Sequence, residues 1–326
     1  MMMLEPAYLA PLVSLTVCSV ALAFLLRHPT LMLDQPNQRS LHDHPVPRTG
    51  GIAITLGAYP FVAWSIPQYL PFCIAALAIA VLSLMDDWRR LSAGVRFGVQ
   101  ILIATAFVTL GFPGFSFGEQ LFMIATILWL ANLYNFMDGS DGLAAGMAII
   151  GFGTCAIGAW FAGFPMLAIL CASIASASVA FLCVNFHPAK IFMGDVGAIT
   201  LGFSAGAIGI LGWGEGAWSP FFPIFAFSPF IADASLTLLR RILERQRFWE
   251  PHRDHYFQKL VRMGWGHRKT AIAEYLIMLF SGALAIGTSF LGGVLQLTAV
   301  ILWGGVLIAL AAIIEARWKT HQGIAK

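Results

Sequence analysis

Charge is scarce in this sequence. Asp, Glu, Lys and Arg make up 11% of its 326 residues, less than half the roughly 25% of a typical soluble domain. That deficit excludes a water-soluble α/β enzyme, a disordered chain and a coiled coil. The net charge is only +3; it says little about partners, and no nucleic acid is expected among them. Cysteine is equally sparse. Cys18, Cys73, Cys155, Cys171 and Cys183 all lie inside apolar runs with no CxxC pair, so neither a zinc site nor a disulfide framework is indicated. No HExxH occurs. No Lys or Arg precedes the first apolar run, so the basic start of a signal peptide is missing and the run is read as a retained span.

What is abundant is apolar length. Hydrophobic residues make up 59% of the chain, and at about 20 residues per span there is room for roughly ten membrane helices. The runs predict an all-α integral membrane protein of about eleven helices, near 6–26, 51–66, 69–85, 95–112, 119–135, 142–162, 165–184, 197–212, 217–238, 270–290 and 293–314. It is expected to be one polytopic domain over 1–326. With eleven spans, all 19 Lys and Arg residues fall on one side: in the loops 27–49, 86–96, 184–197 and 239–269, and in the tail. The positive-inside rule then places those loops in the cytoplasm, the N-terminus in the periplasm and the C-terminus inside. The expected location is a membrane with one cytoplasmic face.

The acids follow the same division. Asp86-Asp87 closes the third run in LSLMDDWRR. Asn132, Asn135 and Asp138 recur at i, i+3, i+6 in ANLYNFMDGSDGLA, which puts them on one helical face. Asp141 lies just beyond, in a Gly-rich turn. Asp195 stands in NFHPAKIFMGDVGA, before the eighth helix, and Asp233 within the ninth run. A carboxylate inside a span costs about 2.5–3.5 kcal/mol on insertion scales, so these groups call for a cation or a water-filled cavity. An acid cluster without an equal number of bases suits Mg²⁺, which takes one or two carboxylates plus substrate phosphates. Solvated helix ends are the plainer alternative. Glycine beside Asp138, Asp141 and Asp195 favours close approach of a ligand to the backbone.

Residues 239–269 form the one sizeable loop. RRILERQR reads as an interfacial helix near anionic lipid. In WEPHRDHYFQKL, His252 and His255 are three apart and flank Arg253, a pattern open to metal binding, to diphosphate contact, or to neither.

Taken together, RSLHDHPVPRTGGIAI (39–54), DDWRR (86–90), NLYNFMDGSDGLA (132–144), NFHPAKIFMGDVGA (185–198) and PHRDH (251–255) resemble the polyprenyl-phosphate N-acetylhexosamine-1-phosphate transferase family, relatives of phospho-N-acetylmuramoyl-pentapeptide transferase. The resemblance implies transfer of a sugar 1-phosphate from a UDP-N-acetylhexosamine to undecaprenyl phosphate with release of UMP. It implies Mg²⁺, or Mn²⁺ in its place, as cofactor. By position, Asp195 matches the family's metal ligand, and Asp86 and Asp87 the acidic pair for metal, acceptor phosphate or base chemistry. Asn135 and Asp138 match the ribose–diphosphate region; Asn185, Phe192 and Asp141 match the uracil side; His252 and His255 match a His-rich loop near the diphosphate. Arg48 and Arg253 are expected phosphate contacts.

Three departures stand out: Ala198 follows FMGDxG where Ser is usual, HRDH replaces HHH, and PVPRTGG replaces PTMGG. They point away from the muramoyl-pentapeptide donor and toward the branch that starts O-antigen or other surface-polysaccharide chains. The sugar stays open between GlcNAc and 6-deoxy relatives, and a homodimer is compatible with the sequence. An ion-coupled transporter is the chief non-enzyme alternative, but the acids gather at one membrane face rather than at midplane.

Overall fold

The computed structural model describes residues 6–29, 32–34, 45–89, 91–247 and 252–324. Residues 39–44 of the first family-like stretch, Arg90 of DDWRR and Pro251 of PHRDH lie outside them. Among the described residues the chain is helical apart from a short ribbon. A 3-10 turn (Pro6–Leu9) opens into α1 (Ala10–Arg27), followed by β1 (Leu33–Asp34) and β2 (Val46–Pro47), which pair antiparallel with Asp34 opposite Val46. Then come α2 (Gly50–Ala58), α3 (Pro60–Ser65), α4 (Leu70–Arg89), α5 (Ala93–Gly111), α6 (Phe117–Met137), α7 (Leu143–Phe161), α8 (Pro165–Asn185) and α9 (Gly194–Glu215). The chain ends with α10 (Phe221–Ala226), α11 (Ser228–Leu243), α12 (Tyr256–Leu260), α13 (Gly266–Thr288) and α14 (Gly293–Ile324).

Nine helical segments among the described residues are long and apolar enough to cross a membrane, and the protein is an all-α integral membrane protein. The other two expected runs are broken helices. Residues 51–66 divide into α2 and α3 at Tyr59–Pro60, and 217–238 into α10 and α11, with Pro229 just inside α11. Proline offers no N–H and its ring collides with the preceding turn, so each run bends where it falls.

Helical order also reaches further than the sequence suggested. The expected 86–96 loop shrinks because Ser92 caps α5, its hydroxyl accepting from Val95 N–H at 3.3 Å; Arg96 is therefore helical. RRILERQR is not a separate interfacial helix: Arg240 and Arg241 form the last turn of α11. Helix resumes at Tyr256, so 239–269 is only partly a loop. Asp138 caps the end of α6 instead of lying within it, and Asp195 sits in the first turn of α9 rather than ahead of it.

The centre of the bundle is α9, almost wholly buried, whereas α5 and α14 are mostly exposed. Its neighbours are α6, α4 and α2. Small residues let the backbones meet, as in other membrane helix pairs. A Cβ on Gly202 would lie 2.4 Å from the Leu130 carbonyl oxygen, and one on Gly206 2.8 Å from Ile127 Cα. This antiparallel register, carried to the helix ends, sets Asp195 level with Asp138. Helix α4 is also antiparallel to α9: the Tyr69 hydroxyl, just ahead of α4, donates to Glu215 at the end of α9 at 3.0 Å, so Asp86 and Asp87 emerge beside the start of α9. Helix α2 runs alongside α9, with Tyr59 hydroxyl 2.8 Å from Ser204 Oγ. Its start is fixed by Gly50 N–H and Gly51 N–H donating to the carbonyls of Phe192 and Met193 at 2.9 and 2.8 Å.

A Cβ at position 51 would fall 2.1 Å from Gly197 N, inside hard-sphere contact with backbone. Gly51→Val is expected to lower the melting temperature in detergent by several degrees, the scale of an overpacking cost of about 1–3 kcal/mol. Gly305→Ala on α14, where an added Cβ meets nothing within 4 Å, does not lower it, since alanine is the better helix former. Equal melting of both variants would contradict this packing.

Candidate active site

The ends of α4 and α6 and the starts of α9 and α2 open at one end of the bundle, and the acids of α4, α6 and α9 converge there. Arg48 is carried in by the ribbon: its N–H donates to Met32 carbonyl at 3.0 Å, and Phe192 N–H to Pro47 carbonyl at 2.7 Å. Gly194, at φ 69°, lies so close beneath that a Cβ would sit 2.5 Å from the Arg48 carbonyl oxygen; glycine supplies both the left-handed backbone and the space. Arg48 Nη1 then stands 3.2 Å from Asp87 Oδ1. On the other flank Arg96 Nη1 is 2.7 Å from Asp86 Oδ2 and 3.8 Å from Asp195 Oδ2. Asp138 joins the group electrostatically. Its titration is pushed up to about 7, by burial first and then by the charges of Asp195, Asp141 and Asp34.

Arg48 and Arg96 thus stand among Asp86, Asp87, Asp138 and Asp195, with Asp34 close behind. Asp87 Oδ2 and Arg48 Nε are buried and have no hydrogen-bond partner; such groups are costly unless a ligand completes them. Among the described residues no three His, Cys, Asp or Glu side chains form a ready metal cage. Magnesium does not need one, because substrate phosphates and water normally complete its octahedron. The orphaned Asp87 oxygen and the Asp195 carboxylate fit that requirement.

A second group borders the first. Asn185, buried, uses both ends of its amide as a brace: Oδ1 accepts from Gly142 N–H at 3.0 Å and Nδ2 donates to Ile191 carbonyl at 2.9 Å. Asp141 Oδ2 lies 2.7 Å from His187 Nδ1 and accepts from Ala189 N–H at 3.2 Å. His187 stacks on His267 with ring centroids 5.3 Å apart, and His267 Nδ1 is 2.9 Å from Ser140 Oγ. Phe192 is half-buried, its backbone committed to the ribbon and α2. Asn135 is half-buried in the last turn of α6, its carbonyl accepting from Asp138 N–H at 3.3 Å.

The histidine segment is drawn to the same end by Asp233. That carboxylate accepts from the N–H groups of Tyr256 and Phe257 at 3.0 Å each and lies 3.1 Å from His255 Nδ1. His255 is therefore buried, stacked 6.3 Å from Phe136 near the end of α6, and one of its nitrogens is already occupied. His252 is held down to about 4, by burial first and then by the electrostatic influence of its neighbours His255 and Arg241. It is neutral at pH 7, a polar contact rather than a charged one. Arg253 is half-buried, and its carbonyl accepts from Arg262 at 3.2 Å. Behind the segment, Glu315 of α14 pairs with both Lys259 and Arg240, and Arg241 pairs with Asp254.

Sequence reasoning gave no role to Arg96, Asp34, His187, His267 or Glu315. His187 lay in a quoted motif and Arg96 follows Asp86 by ten residues, but only folding shows their partners.

An imidazole that protonates at about 6.5 unfolded and about 4 folded binds more protons in the unfolded state between those values. The protein therefore loses stability as pH falls through that window. His252→Gln should melt progressively higher relative to wild type as pH is lowered from 7.5 to 5. A pH-independent difference between the two melting curves would contradict the buried neutral imidazole.

Comparison with known proteins shows the family. Residues 69–213, from the start of α4 to the end of α9, match the family described as Glycosyl transferase family 4. The probable undecaprenyl-phosphate N-acetylglucosaminyl 1-phosphate transferase of Bacillus subtilis is 34% identical over 264 residues, 75% of this chain and 74% of the relative. The decaprenyl-phosphate N-acetylglucosaminephosphotransferase of Mycobacterium leprae is 30% identical over 305 residues, 78% and 75% of the two chains. The phospho-N-acetylmuramoyl-pentapeptide-transferase of Shouchella clausii is 33% identical over 196 residues, 51% and 60%. The matched region carries every acid of the central cluster except Asp34, and the chain belongs to glycosyl transferase family 4, the polyprenyl-phosphate N-acetylhexosamine-1-phosphate transferases.

Proposed function

We propose that the protein transfers N-acetylhexosamine 1-phosphate from a UDP-sugar to undecaprenyl phosphate at the cytoplasmic face of a bacterial inner membrane. The product is the first lipid-linked intermediate of a surface polysaccharide such as O-antigen. The observation that carries this reading is the gathering of Asp86, Asp87, Asp138 and Asp195 with two arginines at one end of a membrane bundle. A soluble nucleotide and a lipid-anchored phosphate can meet there. The names of the Bacillus and Mycobacterium relatives make GlcNAc the first donor to test, and the one-sided distribution of basic residues supports the orientation.

The chemistry is a displacement at phosphorus. An oxygen of the acceptor phosphate forms a bond to the sugar-linked phosphorus, the bond from that phosphorus to the UMP oxygen breaks, and UMP departs with the electron pair. Phosphoryl transfer needs mainly positioning and charge stabilisation. The acceptor phosphate is already largely ionised at pH 7, so no strong base is needed. Asp87 and Asp195 would hold Mg²⁺, which when bound supplies charge neutralisation of the diphosphate and of the departing UMP. Arg48, fixed against Asp87 by the ribbon, contributes a guanidinium to the same phosphates. Asp138 and Asn135 line the ribose–diphosphate side. Asn185 and Asp141, with Phe192, shape the uracil side by bracing its loops. The His252–His255 segment borders the diphosphate.

A covalent phospho-aspartyl route through Asp86 or Asp87 is the alternative mechanism. It predicts exchange of labelled UMP into the UDP-sugar without lipid, which direct displacement does not. Muramoyl-pentapeptide transfer is the alternative reaction, favoured by the Shouchella match and disfavoured by HRDH in place of HHH. A panel of UDP-sugar donors separates the two.

Purified protein with UDP-GlcNAc, undecaprenyl phosphate and MgCl₂ should release UMP, and EDTA should stop the release. Absence of UMP with every UDP-N-acetylhexosamine tried would overturn the reading. Asp195→Asn is expected to lower turnover by roughly 100-fold or more, the scale of losing a main electrostatic stabiliser, with its melting temperature kept. Near wild-type turnover in that variant would remove Asp195 from the metal.

A further inference from the structure

Asp141 sits in the turn between α6 and α7, and the side chains that hold residues 140 to 142 come from elsewhere in the chain. Helix α13 supplies two of them. His267, in its first turn, presents Nδ1 at 2.9 Å from Ser140 Oγ and 3.4 Å from the Asp141 backbone nitrogen. Tyr275, further along the same helix, donates its hydroxyl to the Gly142 carbonyl at 2.6 Å. Both lie well beyond the stretch 69–213 that matches the family. The other holds come from α8 and the loop after it. Asn185 accepts from Gly142 N–H, and His187 and the Ala189 N–H meet Asp141 Oδ2.

These contacts assign the proton on each ring. A backbone N–H only donates, so the His267 nitrogen facing Asp141 N–H is an acceptor, and that ring is neutral with its proton on Nε2. The Ser140 hydroxyl donates to the same nitrogen. A carboxylate only accepts, so His187 Nδ1, 2.7 Å from Asp141 Oδ2, carries a proton. The two rings stack with centroids 5.3 Å apart and planes 12° from parallel. One ring therefore holds the carboxylate of Asp141, the other holds its backbone, and the stack joins the two. Oδ2 is spent on two donors, whereas Oδ1 meets no hydrogen-bond partner among the described residues. The side chain is only 11% exposed, so the direction of that open oxygen is set by its holders rather than by water.

We propose that His267 is a positioning residue for the donor: as a neutral acceptor stacked on His187, it aims the open oxygen of Asp141 at the nucleotide. This rests on the transferase reading, in which Asp141 faces the uracil side, and adds α13 to the parts on which donor binding depends. Ring packing alone would not need the nitrogen, but here Nδ1 is shared by two donors from the turn. The two roles of the ring can be separated. Phenylalanine keeps a ring to stack and loses the acceptor; asparagine loses the ring and places its side-chain oxygen close to where Nδ1 stands. Asp86 and Asp87, the pair expected at the acceptor phosphate, are on α4, so the lipid substrate supplies the internal control.

The test measures UMP binding to purified protein in MgCl₂ by calorimetry, and steady-state UMP release with each substrate varied in turn. His267→Phe should weaken UMP binding and raise the KM for the UDP-sugar by about tenfold, the scale of lost hydrogen bonds at one site. The KM for undecaprenyl phosphate should stay within about twofold. His267→Asn should recover most of the loss. His187→Phe should cost less than His267→Phe, because the Ala189 N–H still holds Oδ2. If His267→Phe binds UMP as wild type does, or if His267→Asn is no better than His267→Phe, the acceptor role is overturned. If the lipid KM rises as much as the donor KM, the ring serves the bundle at large, and the proposal is again overturned. Should wild type bind UMP but release none from any UDP-sugar, the transferase reading fails, and UMP binding by the variants still decides the role of His267. Wild type that binds no UMP overturns that role outright.

Discussion

Like charges held together in a poorly hydrated place are the constraint on which this structure turns. Four aspartates meet where membrane helices end, with a fifth close behind, and the described residues bring two arginines against them. At an effective dielectric of about 20, two unit charges 4 Å apart repel by about 4 kcal/mol. Such an arrangement persists only where packing elsewhere enforces it. That enforcement comes from α9, whose glycines bring α2 and α6 to backbone contact. The strain of the acids is thereby borne by the tightest part of the bundle. The arrangement is then ready for ligands that bring cations or replace the arginine contacts.

Much of this was legible in the sequence because two strong signals agree. Apolar length marked the helices, and the distribution of Lys and Arg sorted their connections. Among the described residues, nine helical segments long enough to span and two proline-broken ones lie where eleven runs were expected. Asp86, Asp87, Asp138 and Asp195 were legible as well, since acids at the ends of apolar runs have few physical explanations. Boundaries were less so. The helical turns around Arg96 and Tyr256 are polar enough to read as loop, yet Ser92 and Asp233 cap them.

Partnership between distant residues was the part the sequence did not carry. Asn185 looked like a ligand-facing amide, but both ends of its side chain are spent on Gly142 and Ile191. His255 looked free for a diphosphate and is instead bound to Asp233, an acid whose position within an apolar run gave no hint of a capping role. The pairings of Asn185 with Gly142 and of His255 with Asp233 span 43 and 22 residues of chain and depend on helix register, which no local pattern encodes. The same holds for the stacked pair His187 and His267.

Glu315, near the end of α14, grips Lys259 and Arg240 and so holds the histidine segment in place. A chain emerging from the ribosome inserts α4, α6 and α9 long before that residue is made. During biosynthesis the acids are therefore in the membrane well before the segment beside them is secured. The growing polypeptide gains its finished pocket only when α14 docks and Glu315 reaches Lys259 and Arg240.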